Sequence, residues 1–252
     1  MTSAPFTPPP YIGHESWNFE MGKWIDRTKT GLLLLLVGTV IAVIPFIGFI
    51  GTILAAIGAL LVILGRRAFG SKHSKYVLFS VGIYCFGFIV VFFAALIFAV
   101  SIVTARAATS QSELIQIVTS ALNSLIIGAV IGGAITSFSY VLFTYAIQNQ
   151  IGRILLWTAY GISLAIEAAL FLIFTPLIAS TISASFTSSG TYNPQPLRDL
   201  QGQISSFGLL SLLPYGLYAT AYYIVYSRVN RGEIPPRTTT QPPPSPPMPP
   251  TM

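Results

Sequence analysis

The sequence has little charge. Only 8% of its 252 residues are Asp, Glu, Lys or Arg, where a soluble domain carries about 25%. A globular chain so poor in charge could not cover its surface, so the solvent for much of it must be lipid. Acid is scarcer still, with seven Asp and Glu against thirteen Lys and Arg and a net charge of +6. In a soluble protein that balance would raise nucleic acid as a partner. Here 53% of residues are hydrophobic and the mean hydropathy is +0.73. The excess base therefore reads as Lys and Arg collected on the cytoplasmic side of a membrane against anionic lipid, and no nucleic-acid partner is expected.

Cysteine is nearly absent. Cys85 stands alone inside an apolar run, which excludes a disulfide within one chain and leaves the redox compartment unread. The two histidines, His14 and His73, fall in segments expected to be aqueous and lie far apart. With Cys85 buried in a span, they give no metal-ligand spacing. There is no phosphate-binding loop, no zinc-protease histidine pair and no nucleophile elbow. Asn18, Asn123, Asn149, Asn193 and Asn230 all lack a Ser or Thr two residues on. No catalytic, cofactor-binding or metal residue is assigned, no cofactor is expected, and the chain is not expected to be an enzyme. A cleavable secretory signal is not expected either, because largely polar sequence with Pro8, Pro9 and Pro10 precedes the first apolar run.

What the sequence does have is long apolar runs. Residues 31–65 form one unbroken stretch, which as a single helix would be about 52 Å long at 1.5 Å per residue. The hydrocarbon core is about 30 Å thick, and tilt cannot absorb the excess. Pro45, Gly48 and Gly51 lie near its middle, so it reads as a hairpin of two helices over about 29–45 and 49–66. Four further spans follow at about 76–103, 119–147, 154–179 and 205–227. The fold class is therefore all-α: an integral membrane bundle of six transmembrane helices over residues 29–228, with both termini cytoplasmic and the cell membrane as its location.

Charge placement tests that count. With six spans, eleven of the thirteen basic residues fall inside and only Arg106 and Arg198 outside. With residues 31–65 as one helix, five would be inside and eight outside, so the positive-inside rule favours the hairpin. Residues 1–28 form a polar, Pro-containing N-terminal segment. Its last part carries Trp17, Met21, Trp24 and Ile25 on one stripe, and reads either as an interfacial helix or as an extension of the first span. The outer loop at about 180–204 is rich in Ser and Thr. Residues 229–252 form a Pro-rich tail expected to be extended and solvated, with a Pro-binding partner as the alternative.

The lead-in KWIDRTKTG, the Leu/Ile/Gly hairpin and the following RRAFGSKHSKY resemble a family of archaeal multi-pass membrane proteins of unknown function. The resemblance covers mainly residues 23–100. It implies a membrane hairpin followed by a basic loop, and brings no activity, ligand or catalytic residue.

Glu167 is the sharpest single signal, because it is the one ionisable acid or base deep in any span. A charge at the bilayer centre costs about 2.5–3.5 kcal/mol on insertion scales. Such residues face the bundle interior and mark a path, a relay or a hydrogen-bonded lock. Without a cation at its depth the acid is expected to be neutral and to donate a hydrogen bond across to the sixth span. There Tyr215, Tyr218, Tyr222 and Tyr226 share a helical face, and Tyr215 or Tyr218 is the expected partner. The bland reading of that tyrosine stripe is packing or interface anchoring.

In the fourth span Ser124, Gly128, Gly132 and Thr136 recur every fourth residue, a spacing that lets helix backbones approach closely. Packing within the chain is the default and a homo-oligomer seam the alternative. Gly51, Ala55 and Ala59 make a similar stripe in the hairpin, and Pro214 and Pro176 are expected to bend or loosen the sixth and fifth helices. Three functions remain in order: a non-enzymatic scaffold or accessory protein in the bilayer, a small transporter or channel coupled through Glu167, and an intramembrane enzyme. The single acid places the scaffold first.

Overall fold

The computed structural model describes residues 13–42, 44, 47–185 and 193–235. Pro45, the first twelve residues and the Pro-rich end of the tail lie outside them. Among the described residues the fold is all-helical. The α-helices are α1 (Gly13–Ala42), α2 (Gly48–Gly65), α3 (Gly70–Ala105), α4 (Gln111–Tyr145), α5 (Gln150–Ser185), α6 (Gln195–Gly208) and α7 (Leu212–Asn230). Four helical stretches are long and apolar enough to cross a membrane: Gly48–Ala105, Gln111–Tyr145, Gln150–Ser185 and Gln195–Asn230. Large apolar side chains such as Phe49, Phe79 and Leu172 are outward-facing and exposed. The chain is a helical membrane protein.

The apolar stretch 31–65 does reverse. α1 and α2 run antiparallel with their backbones in contact along glycines spaced seven apart. Gly31 and Gly38 on α1 face Gly58 and Gly51 on α2, and Gly65 reaches Trp24 and Thr28. A Cβ on Gly58 would lie 2.6 Å from the Gly31 carbonyl oxygen and 2.6 Å from the Leu35 nitrogen. Seven-residue spacing keeps one seam facing its partner along a left-handed helix pair. The expected stripe of Gly51, Ala55 and Ala59 is thus only part of the contact. Ala55 meets Gly38, but the seam itself continues through Gly58 and Gly65. α1 is unbroken from Gly13, so the N-terminal lead-in is the first helix's own extension, with Ile25 packed against the core.

α3 and α4 form a second antiparallel pair on the same principle. Ser80, Gly87 and Ala94 on α3 meet Ser139, Gly132 and Gly128 on α4. The Ser80 hydroxyl donates to the Ser139 carbonyl at 2.7 Å. The Thr136 hydroxyl turns back to the Gly132 carbonyl of its own helix at 2.7 Å, which hides its polarity. The fourth-span stripe is therefore used within the chain: Gly128, Gly132 and Thr136 all touch α3, and Ser124 is half-buried one turn earlier. Cys85, expected to be buried, points outward and is exposed.

α5 packs antiparallel to α4, and α7 packs on α5, α4 and α1. Side by side the helices run α2, α1, α7, α5, α4, α3. The sixth apolar run is not one simple helix. A short 3-10 turn at Leu209–Ser211 separates the amphipathic α6 from α7. Pro214 sits in the first turn of α7, where its missing N–H leaves no bond unmade. The region expected to be an outer loop at 180–204 is partly helical. α5 continues through Pro176 to Ser185, and α6 lays Leu200 and Phe207 against Phe174, Ile178 and Ile182 of α5.

Between α3 and α4, Ser110 caps α4 by accepting from the Glu113 N–H at 3.2 Å, while Glu113 reaches back to accept from the Thr109 N–H at 2.8 Å. That backbone bond, with the Thr109 hydroxyl, holds the Glu113 carboxyl below its ordinary range.

Candidate functional site

Glu167 points into the bundle. α5 carries its buried face through Gly152, Leu156, Ala159 and Ser163, and Glu167 is one turn beyond Ser163 on that stripe. Across from it α4 offers Gly133, whose missing side chain leaves room for the carboxyl. A Cβ there would lie 2.6 Å from Glu167 Oε1. The result is a cavity of about 200 Å³ lined by Glu167, Ser163 and Ile166 of α5, Ser137 of α4, and Ser211, Pro214, Tyr215 and Tyr218 at the start of α7. Glu167 Oε2 is buried and has no hydrogen-bond partner among the described residues.

The expected bond from Glu167 to Tyr215 or Tyr218 is not made. Both tyrosines line the cavity, but the Tyr218 hydroxyl donates to the Ser137 carbonyl at 3.1 Å. Tyr222 lies outside the cavity, with its hydroxyl donating to the Tyr140 carbonyl at 3.4 Å. The stripe docks α7 onto α4, and the register shows the two helices to be parallel: 137 meets 218, 140 meets 222, and 147 meets 228. A buried amide reinforces the pair, because Gln148 Nε2 donates to the Ala221 carbonyl at 2.9 Å.

Three polar cavity residues escaped the sequence reading: Ser137, Ser163 and Ser211. A helical-spacing signal existed for each. Ser163 stands four before Glu167, Ser211 four before Tyr215, and Ser137 four after Gly133, so each shares a face with its neighbour. What the sequence could not show was that the three faces meet.

The chemistry of the cavity follows from its groups. One carboxylate and five hydroxyls supply hard oxygen ligands and a single negative charge. A bare carboxylate there is costly, because no cationic side chain among the described residues balances it. A proton or one alkali cation balances it, whereas a divalent ion would leave a net positive charge in a low-dielectric site. No group of three His, Cys, Asp or Glu side chains gathers among the described residues.

A second buried titratable group lies outside this cavity. His73 is in the polar opening turns of α3, among Ser71, Lys72, Ser74 and Lys75 and before the apolar run that begins at Tyr76. Sequence placed it in water, but the fold leaves it 1% exposed, edge-on to Phe69, with neither ring nitrogen bonded among the described residues. It falls on the same seven-residue stripe as Ser80, Gly87 and Ala94, which turns it toward the helix packing.

Burial penalises the imidazolium and pushes the His73 pKa down from 6.5 to about 4. The folded value lies below the unfolded one, so the unfolded chain binds more protons between them. The stability from neutral His73 is present above pH 6.5 and lost as pH falls toward 4. Thermal unfolding in detergent should therefore shift to lower temperature below pH 6.5, and His73→Phe should flatten that slope. An equal slope in the variant would assign the acid sensitivity to another group.

No family model, no curated protein and no solved structure matches the chain.

Proposed function

We propose that the chain is a six-span membrane protein, both termini cytoplasmic, that takes up a proton or an alkali cation at Glu167 and moves it through the bundle. The observation that carries this reading is the buried, unpartnered Glu167 oxygen in a cavity lined by hydroxyls from three helices. Sequence alone put a scaffold first because it offered one acid and no converging groups. The meeting of Ser137, Ser163, Ser211, Tyr215 and Tyr218 at that acid moves the coupled site ahead. No second catalytic group accompanies the acid in the cavity, so the proposal is of a carrier and not of an enzyme.

The six-span topology is supported by helix direction and charge. α1 with α2, α3 with α4 and α4 with α5 are antiparallel, while α4 and α7 are parallel, as the fourth and sixth members of an alternating series would be. Arg66, Arg153 and Arg228 gather at one end of the bundle, and Arg106 and Arg198 belong to the other. The first helix is the extended α1, and its partner in the hairpin is α2.

A scaffold remains the second reading, favoured by the two glycine-packed pairs, which make a rigid body independent of any ion. Reconstitution separates the two. Proteoliposomes with an imposed proton or sodium gradient should show flux through the native chain, abolished in Glu167→Gln and partly kept in Glu167→Asp. Infrared difference spectra should show the Glu167 carboxyl titrating reversibly and lost in the Gln variant. Absence of both flux and titration in the native chain would leave the scaffold standing.

A further inference from the structure

The turn between α4 and α5 holds an open groove of about 650 Å³, lined by Gln148, Asn149, Arg153, Ile154, Trp157 and Thr158. We propose that it is a binding site for the headgroup of an anionic phospholipid, with the phosphate on Arg153 and the upper acyl chain along Ile154 and Trp157. This stands apart from the Glu167 reading and needs no transport activity.

Arg153 is fixed in place: its Nε donates to the Tyr145 carbonyl at 3.3 Å, and its guanidinium carbon lies 5.0 Å from the centre of the Tyr145 ring. Among the described residues its Nη groups make no hydrogen bond and it forms no ion pair. Arg228 and Arg231, at the same end of the bundle, are both matched by Glu233, at 3.2 Å and 3.0 Å. The fork of Arg153 is thus a held cation with two donor groups free, which suits a phosphate.

The groove lies just past the C-terminal end of α4 and over the first turns of α5. One turn into the span from Arg153, Trp157 is 46% exposed, and Ile154 between them adds outward apolar surface. A cation followed, within one helical turn, by an aliphatic side chain and then an indole sets charge at the headgroup level and apolar surface just beneath it. Gln148 adds a polar mark. It is 4% exposed, spends its Nε2 on Ala221, and keeps Oε1 buried without a partner. Phosphatidylglycerol, whose single negative charge is on the phosphate that Arg153 would meet, is the lipid class that fits.

Trp157 makes the test direct. Trp17→Phe with Trp24→Phe leaves it as the sole tryptophan. The variant is placed in nanodiscs of phosphatidylcholine with a minority of phosphatidylglycerol, one lipid or the other brominated high on its acyl chains. Brominated phosphatidylglycerol should quench Trp157 about fivefold more per lipid than brominated phosphatidylcholine, the scale of one basic residue at an anionic surface. Arg153→Gln should erase the preference and Arg153→Lys retain part of it.

Equal quenching by both lipids, or a preference that survives Arg153→Gln, would overturn the proposal. Relief of quenching by inorganic phosphate would reassign the groove to a soluble anion and overturn the lipid as its occupant. Should the double tryptophan variant not fold, mass spectrometry of the native chain released from the same nanodiscs reads the same quantity. Retained phosphatidylglycerol supports the site, and retention of both lipids in their bulk ratio overturns it.

Discussion

Leucine in place of Gly58 is expected to separate α1 from α2 and to cost more than about 3 kcal/mol, beyond ordinary overpacking, because the obstacle is backbone. The Gly31 carbonyl oxygen and the Leu35 nitrogen both lie 2.6 Å from where a Cβ would stand. Neither can rotate out of the way as a side chain can, so the helices must move apart along the whole seam. Helix pairs in lipid gain little from burying apolar surface and depend on close packing, so the loss is not recovered by greasy contact.

Gly82→Leu is the matched control. Gly82 is on the exposed face of α3 with nothing within 4 Å of its Cβ position. Thermal unfolding and detergent resistance should be unchanged or slightly improved there and sharply reduced at Gly58. Equal behaviour of the two variants would mean the glycine seam does not hold the hairpin.

Alanine in place of Gly133 is expected to cut proton or cation flux at least tenfold while leaving stability within about 1 kcal/mol of the native chain. The added methyl would meet Glu167 Oε1 at 2.6 Å and the carboxyl carbon at 3.1 Å. Those atoms end a flexible side chain, so the fold accommodates the methyl by turning the carboxyl out of its place among the hydroxyls. The carboxyl itself is kept, which separates this variant from Glu167→Gln: the acid remains but its geometry is lost. Flux and unfolding temperature measured on the same preparation give the answer. Native flux with alanine present would show that Glu167 acts without the cavity that Gly133 opens.

These two substitutions also mark what could be read from the chain. The membrane class followed from the scarcity of charge, and the reversal within 31–65 followed from its length against the bilayer and from the count of basic residues. Both hold in the fold. The glycine seam was legible only in part. Spacing of four was sought because small residues at that interval are a known packing signal, and it found Gly128, Gly132 and Thr136. The seven-residue repeat of Gly51, Gly58 and Gly65 was present in the same letters, yet its meaning depends on Gly31 and Gly38 lying opposite.

His73 and Cys85 were misplaced for one reason. Hydropathy ranks a segment, not a face, so a histidine in a basic turn can point inward and a cysteine in an apolar span can point outward. In the same way α6 looked like loop because its composition is polar. Its one apolar stripe gains a partner only when α5 continues past Pro176.

By itself, then, the sequence determined that this is a helical membrane protein with a hairpin at its start and one acid among its apolar runs. Those properties depend on composition, length and charge counted along the chain, and the bilayer imposes them on any segment alone. Tertiary structure decided which faces meet. It set Gly133 beside Glu167, brought three serines and two tyrosines to that acid, spent the Tyr218 hydroxyl on a backbone carbonyl instead, and left Arg153 without a counter-ion among the described residues. In a span where buried and lipid-facing residues are equally apolar, no periodicity in the letters distinguishes those faces, and only the packed helices do.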